Sequence, residues 1–384
     1  MQLESYKKLE SYKSYCLELR ENNIFREIKH TKQNNPFIDF SSNDYLNFSN
    51  SQEILAAAYN AGKTFGVGST GSRLLSGNKI IFHELEEKIA KDKNTEAALI
   101  FNSGYQANIS VISTLLLADV LKAQPLVFFD KLNHSSLYQG VKLAGAQLIR
   151  YNHSNYNHLA DLLDSYSTDT RPKFLIAETL YGMDGDILDI NKIAGICKRY
   201  EVFLFLDEAH ATGILGEKGY GLSTYLDHNE INYVAMGTFS KAMGGCGAYV
   251  ACSEDIKDYL INKCSGFIYS TALSPMVVGA AAKAWDKIST LNKERLELFN
   301  NANFLREELR KMGFDTGLST THIVPIALKD NKLVVEIANK LRDKNIVVSA
   351  VRQPTVPYAR IRIALSTAHS KDDISQLLHT LSTL

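Results

Sequence analysis

VFLFLDEAHATG, residues 202–213, opens with five apolar residues and then turns abruptly polar and small. A short run of Val, Phe and Leu without polar alternation reads as a strand buried on both faces. Upstream, Asn191–Tyr200 has the spacing of a helix, and the same texture repeats outward on both sides. Ala97–Phe101, Leu126–Phe129, Phe174–Ala177 and Tyr233–Met236 are further apolar runs, and Asn108–Leu121 is a further helical stretch between two of them. Buried strands alternating with helices predict an α/β domain with a mainly parallel sheet. In such sheets ligands bind outside the carboxyl ends of the strands, and Asp207 sits at one of those ends.

After about residue 285 the pattern changes. A charged helical stretch, Leu291–Met312, leads to His322–Leu328, a helix over Leu333–Lys344, β-rich segments Ile346–Val351 and Ala359–Leu365, and a last helix over Asp372–Leu381. This predicts a smaller α+β domain at the C-terminus. The expected division is an N-terminal helical arm over 1–45, a large domain over 46–285 and a small domain over 286–384. The arm is expected to pack near the small domain.

Composition narrows the class. The 384 residues are 45% apolar and 22% charged, with 42 basic and 42 acidic side chains, a formal net charge of zero. No basic excess points to nucleic acid or an anionic membrane, so a small-molecule substrate is expected. The N-terminal MQLESYKKLESYKSYCLELRENN lacks the apolar core of a signal peptide, and no apolar run is expected to span a bilayer. Five scattered cysteines form no C-x-x-C pair, which implies neither a metal site nor a disulfide framework and fits reduced thiols in the cytoplasm.

Several residues could carry chemistry. Taken alone, Asp207 is more simply a turn or cap aspartate, and His210 is uninformative. Lys241, in MGTFSKAMGG, follows the run Tyr233–Met236 and so falls on the same rim as Asp207. A lysine there is commonly a solvated charge, but partial burial would free its amine to form an imine with an aldehyde. Ser103, Gly104 and Tyr105 lie between a strand and a helix, where free N–H groups and the helix dipole suit a phosphate. The glycine-rich GVGSTGSRLLSGN (Gly66–Asn78) allows close backbone approach but has neither the P-loop nor the GxGxxG spacing. A phosphate cradle, an acid, a histidine and a lysine on one rim are what pyridoxal phosphate needs.

With those motifs in place, the chain resembles the α-oxoamine synthases, fold-type I pyridoxal-phosphate transferases of the α/β class. The resemblance runs from about residue 24 to the end and is carried by FSSNDYL (Phe40–Leu46), GSTGSRLLSG (Gly68–Gly77), SGYQAN (Ser103–Asn108), NHSSL (Asn133–Leu137), YGMDGD (Tyr181–Asp186), LDEAHATG (Leu206–Gly213), TFSKAMGG (Thr238–Gly245), IYSTALSP (Ile268–Pro275) and RQPTVP (Arg352–Pro357). It implies that Lys241 holds pyridoxal 5'-phosphate as a Schiff base and then serves as the base. Gly104, Tyr105 and Thr238 lie at the phosphate, His134 stacks on the ring, Asp207 pairs with the ring nitrogen and His210 lies near the phenolic oxygen. Arg352 binds the amino-acid carboxylate, with Arg26, Asn43 and Thr355 lining the substrate pocket. Ser270 and Thr271 reach the phosphate of a neighbouring subunit in a homodimer with shared sites.

The implied reaction is a decarboxylative condensation of an amino acid with an acyl thioester carried on coenzyme A or acyl carrier protein. PTVP and IYSTALSP favour the branch that joins L-alanine to a pimeloyl thioester in biotin synthesis. Glycine C-acetyltransferase, 5-aminolevulinate synthase and serine palmitoyltransferase share the core and stay open, as does a silent relative that only supports a partner subunit. Two departures stand out. Gly182 replaces a serine common in the family, either leaving the site one donor short, which is the favoured reading, or meeting a positive φ. The loop after RQPTVP is also short, with YARIR following directly.

Overall fold

A computed structural model of the protein describes residues 2–22, 24–28 and 37–383. Twelve strands lie among the described residues: β1 (Ile38–Asp39), β2 (Ala97–Phe101), β3 (Leu126–Asp130), β4 (Gln147–Tyr151), β5 (Lys173–Glu178), β6 (Phe203–Asp207), β7 (Tyr233–Thr238), β8 (Ala248–Cys252), β9 (Ile323–Ala327), β10 (Ile346–Val347), β11 (Ser349–Val351) and β12 (Arg360–Ala364). Seven of them form one sheet in the order β2-β8-β7-β6-β5-β3-β4. The pairs from β7 through β4 are parallel, and β8 alone runs against both of its neighbours. Every residue of β2, β3, β7 and β8 is buried, the expected consequence of unbroken apolar runs with helices packed on both faces.

The five apolar runs are strands, within one or two residues at each end. Two further strands lie outside these runs. β4, QLIRY, is an edge strand whose apolar residues are interrupted by Gln147 and the exposed Arg150, and β8, AYVAC, follows directly on the glycine-rich loop after Lys241. The stretch expected as one helix over Asn108–Leu121 is Gly104–Leu115 followed by a separate turn, Ala118–Leu121. Its start is set by Ser103, whose side chain accepts from Gln106 N and caps the first turn, a contribution of about 1 kcal/mol. The window Gly104–Leu121 is long and apolar enough, by length and composition, to cross a membrane, contrary to the expectation that none would be. Here its apolar face, with Ala107, Val111, Ile112 and Leu115, lies in the core against the sheet and helix Ser135–Ala144.

A second, antiparallel sheet, β11-β12-β9, and the two-stranded pair β1-β10 form the C-terminal layer, flanked by helices Asn292–Lys311, Asn331–Asp343 and Lys371–Ser382. β1 belongs to the segment expected to be a helical arm, yet it pairs in parallel with β10, and Phe40 O accepts from Ala364 N. Arg26 donates to Thr355 Oγ1 (2.9 Å) and Arg352 to Phe25 O (3.3 Å), so the segment after the first helix lies against this layer.

Candidate active site

The carboxyl ends of β2, β3, β5, β6 and β7 converge on one rim, and each ends in a residue or turn that bears on the site. Asp207, the last residue of β6, is 5% exposed and is held by Asn108 Nδ2 (2.7 Å) at one oxygen and Ala209 N (2.8 Å) at the other. Both neighbours are donors, so the site is built for a carboxylate that only accepts. Asn108 also donates to Ser136 Oγ (2.9 Å), which leaves the Ser136 hydroxyl to donate to His134 Nδ1 (2.7 Å). His134 Nδ1 is therefore an acceptor, and the proton of the neutral ring sits on Nε2. Burial holds His134 below its ordinary pKa, Asp207 opposes that, and Lys241 adds to it.

Lys241 lies three residues beyond β7. Among the described residues its Nζ has no hydrogen-bond or ion-pair partner. Desolvation lowers it to about 8 against the pull of Asp207 and Glu178, with Arg362 adding to the depression. The capped start of helix Gly104–Leu115, expected to take the phosphate, lies against Thr238. A Cβ on Gly104 would stand 3.6 Å from Thr238 Cβ, so the two residues face each other across the cradle. Thr238 Oγ1 bonds to Gly247 O (2.8 Å) and Ser240 Oγ (2.8 Å). Tyr105 is about half exposed beside it. Ser270 and Thr271 meet Asn102, whose Nδ2 donates to Ser270 Oγ (3.0 Å) and Thr271 O (2.7 Å), and so flank the approach to the cradle of their own chain.

His210 is buried, and its Nδ1 is 2.7 Å from Tyr45 Oη. Burial pushes its pKa well down, and the nearby charges of Lys241 and Arg362 push further. Tyr45 is a hub, because Arg362 Nη2 donates to both its hydroxyl (3.1 Å) and Asn43 Oδ1 (3.0 Å). Arg362 Nε donates to Gly182 O (2.5 Å). Thus Asn43 belongs to the group around Lys241 and His210, while Arg26 and Thr355 pair elsewhere, beside Arg352 and Phe25. The clefts there share Met183, Gln353, Pro354 and Thr355 and extend to Asn133, next to His134.

Three residues of the site escaped the sequence reading. Glu178, at the end of β5, accepts from His134 N (2.5 Å) and pairs in register with Asp207. Burial and then the charge of Asp207 hold its carboxyl well above the usual range. Asn108 orients Asp207 and His134 together. Arg362, one of two arginines in YARIRI, is 3% exposed at the hub. Of these, only the alternation of YARIRI could have pointed to Arg362, as a charge on the inner face of an apolar strand.

Gly182 decides between neither of the two readings of its missing hydroxyl. Its φ is not positive. A Cβ there would lie 2.6 Å from His210 Cδ2 and Cε1 and nearer still to Nε2, so the constraint is the His210 ring. The positive-φ reading is corrected accordingly, and contact with the His210 ring is what restricts this position. Gly182→Ser and Gly182→Ala should both lower the melting temperature, at a cost of about 1–3 kcal/mol from overpacking, and both should weaken cofactor binding. Thermal melts and a cofactor titration check this, and tighter binding by Gly182→Ser would refute it.

Pyridoxal phosphate fits this donor set. An acceptor-only carboxylate, an unpaired amine of depressed pKa and a helix N-terminus opposite a threonine are what its ring nitrogen, aldehyde and phosphate require. Comparison with known proteins agrees. The family described as aminotransferase class I and II matches residues 35–381. A protein of Gluconacetobacter diazotrophicus named 8-amino-7-oxononanoate synthase is 42% identical over 348 residues, 90% of this chain and 87% of that one. The crystal structure of 8-amino-7-oxononanoate synthase from Francisella tularensis is 31% identical, with a TM-score of 0.78 over 91% of this chain and 97% of that one. A structure described as SPT with PLP is 25% identical, with a TM-score of 0.87 over 98% and 97% of the two chains. The chain therefore belongs to the class I and II aminotransferase family and, within it, to the α-oxoamine synthases of the 8-amino-7-oxononanoate synthase group, fold-type I enzymes of pyridoxal phosphate.

Proposed function

We propose that the protein condenses L-alanine with a pimeloyl thioester, joining the alanine α-carbon to the acyl carbonyl, releasing the thiol and losing the alanine carboxyl as CO2. The observation that carries this reading is the grouping of Lys241 and His134 with the buried Asp207 and His210 on one sheet rim in a chain of this family. Pyridoxal phosphate, when bound, supplies the electron sink that makes the α-carbon acidic. Lys241 would hold it covalently, and its Nζ then takes the α-proton, a task suited to an amine with a pKa of about 8. Asp207 would keep the proton on the ring nitrogen, His134 would cover the ring face and His210 would lie near the phenolic oxygen. Gly104, Tyr105 and Thr238 would receive the phosphate.

The role expected of Arg352 falls better to Arg362. Arg362 acts on Lys241 and His210 and bonds to Asn43, whereas Arg352 lies with Phe25, Arg26 and Thr355, where the acyl chain would run. A second copy of the chain suits the exposed apolar residues Val67, Leu74, Leu75, Ile80 and Tyr269, which flank Thr271 and the cradle. In a homodimer, Ser270 and Thr271 would serve the phosphate across that interface. The free cysteines fit a cytoplasmic setting.

An assay of CO2 and amino-ketone formation tests the reading, with alanine, glycine and serine offered against pimeloyl, acetyl, succinyl and palmitoyl thioesters. Alanine with pimeloyl should be the best pair, and a faster reaction of glycine with acetyl or succinyl thioester would overturn it. In the same assay Arg362→Lys should raise KM for alanine about 10-fold or more through loss of the planar fork. Arg352→Lys should instead act mainly on KM for the thioester. The reverse pattern would return the carboxylate to Arg352.

A further inference from the structure

The loop carrying His134 and the hairpin carrying Gly182 are joined by one side chain that the roles above leave unused. His153 lies two residues beyond β4. Its Nδ1 is 3.0 and 3.1 Å from the two oxygens of Asp130, and its Nε2 is 2.9 Å from Asp186 Oδ2. Asp130 ends β3, is 1% exposed, and accepts from Leu132 N (2.9 Å) as the chain turns toward His134. Asp186 closes the hairpin, with its carbonyl accepting from Tyr181 N (3.1 Å). A neutral imidazole has a single N–H, so two carboxylates facing the two nitrogens are served only by the imidazolium.

We propose that His153, bonded at both nitrogens, is a positioning residue that fixes the separation of the His134 loop and the Gly182 hairpin, and with it the placement of His134 and His210 about the cofactor. The proposal rests on the reading of the site given above. The hairpin is anchored on its far side by Arg360, which donates to Met183 O (3.1 Å) and Asp184 Oδ1 (2.5 Å), and by Arg362 at Gly182 O. His153 adds a side-chain tie from the hairpin to the turn after β3, beside Ser154 Oγ, which is 3.4 Å from Asp186 Oδ2. The ring packs edge-on against Tyr181, with centroids 4.4 Å apart.

The groups facing His153 are Asp130, Asp186, Ser154 and the ring of Tyr181, with the phenols of Tyr151 and Tyr156 near the two carboxylates. All three phenols are raised by burial first and so stay neutral across the working range. Burial alone would lower the pKa of His153, but its bonds to Asp130 and Asp186 outweigh it and lift the ring to about 10. The folded value lies above the unfolded one. The stabilisation is thus complete below about 6.5 and disappears as pH rises through about 10.

The test compares His153→Gln, which keeps size without charge, and His153→Lys, which keeps charge, in the cofactor-loaded protein at a temperature where each is folded. His153→Gln should lose about 10- to 100-fold in kcat with KM for alanine changed less than about 3-fold, and should displace the visible absorption of the bound cofactor. His153→Lys should recover to within about 5-fold of wild type. Independently, imidazole nitrogen NMR of the wild type should show both nitrogens protonated at pH 8 and no titration near 6.5. A ring that titrates at its ordinary value, or a His153→Gln protein with native kcat and absorption whatever its melting temperature, would overturn the proposal. If wild type condenses no thioester at all, the functional reading fails, while the absorption and the ring titration still decide on His153.

Discussion

Lys241→Ala should lower kcat by about 10³-fold or more, because the covalent hold on the cofactor and the proton acceptor are lost together. Nothing else at the rim can replace it. Among the described residues Lys241 is the amine acting on His134, Glu178 and His210, and Arg362, which also acts on His210, is a guanidinium held by Gly182, Asn43 and Tyr45. Reduction of the wild type with borohydride should leave the cofactor on the Lys241 peptide, and a label on another lysine would refute the assignment. The depressed pKa adds a pH signature. Capture of the aldehyde needs the free amine, so the rate at which cofactor-free protein takes up the cofactor should rise with pH and level off above about 8, well short of the ordinary lysine value. A plateau reached only near 10.5 would mean that the ammonium is solvated.

Asp207→Asn should cost about 10²- to 10⁴-fold in kcat, a range comparable to that for loss of a general acid or base, with a smaller loss in cofactor affinity. Two effects act together. The charge that keeps the ring nitrogen protonated disappears, and the new amide must set its NH2 against either Asn108 Nδ2 or Ala209 N, both of which are donors. The electrostatic consequences have a definite sign. Asp207 raises Lys241 and His134, so both should titrate lower in the variant, and it raises Glu178, which should fall toward the ordinary carboxyl range. Cofactor uptake by Asp207→Asn should therefore level off at a lower pH than in wild type, even as turnover collapses. Near-normal turnover would show that another group serves the ring nitrogen.

How much was legible in the sequence depended on where the physical signal is written. The five central strands could be read because each is buried on both faces, and that demand fills consecutive positions with apolar residues. β4 escaped because Gln147 and Arg150 interrupt its apolar residues, whereas β8, AYVAC, is apolar throughout and carried a readable signal. The catalytic motifs could be read because Asp207, Lys241 and the Ser103–Gly104 turn each sit directly after a strand, so chain order alone puts them on one rim.

The sequence by itself determined the fold class, the family and the cofactor, since the motifs that carry them lie within a few residues of recognisable apolar runs. Only the tertiary structure decided which arginine stands beside Lys241. Arg352 and Arg362 are ten residues apart in the same layer, but β12 turns Arg362 inward onto Asn43, Tyr45 and Gly182, while the chain at Arg352 runs against Phe25. Only the structure, likewise, explained Gly182 by the ring of His210 and joined Asp130, His153 and Asp186. The physical reason is common to all three. A close approach between segments distant in the chain leaves no periodicity in either one, so contacts of this kind become visible only when the chain is folded.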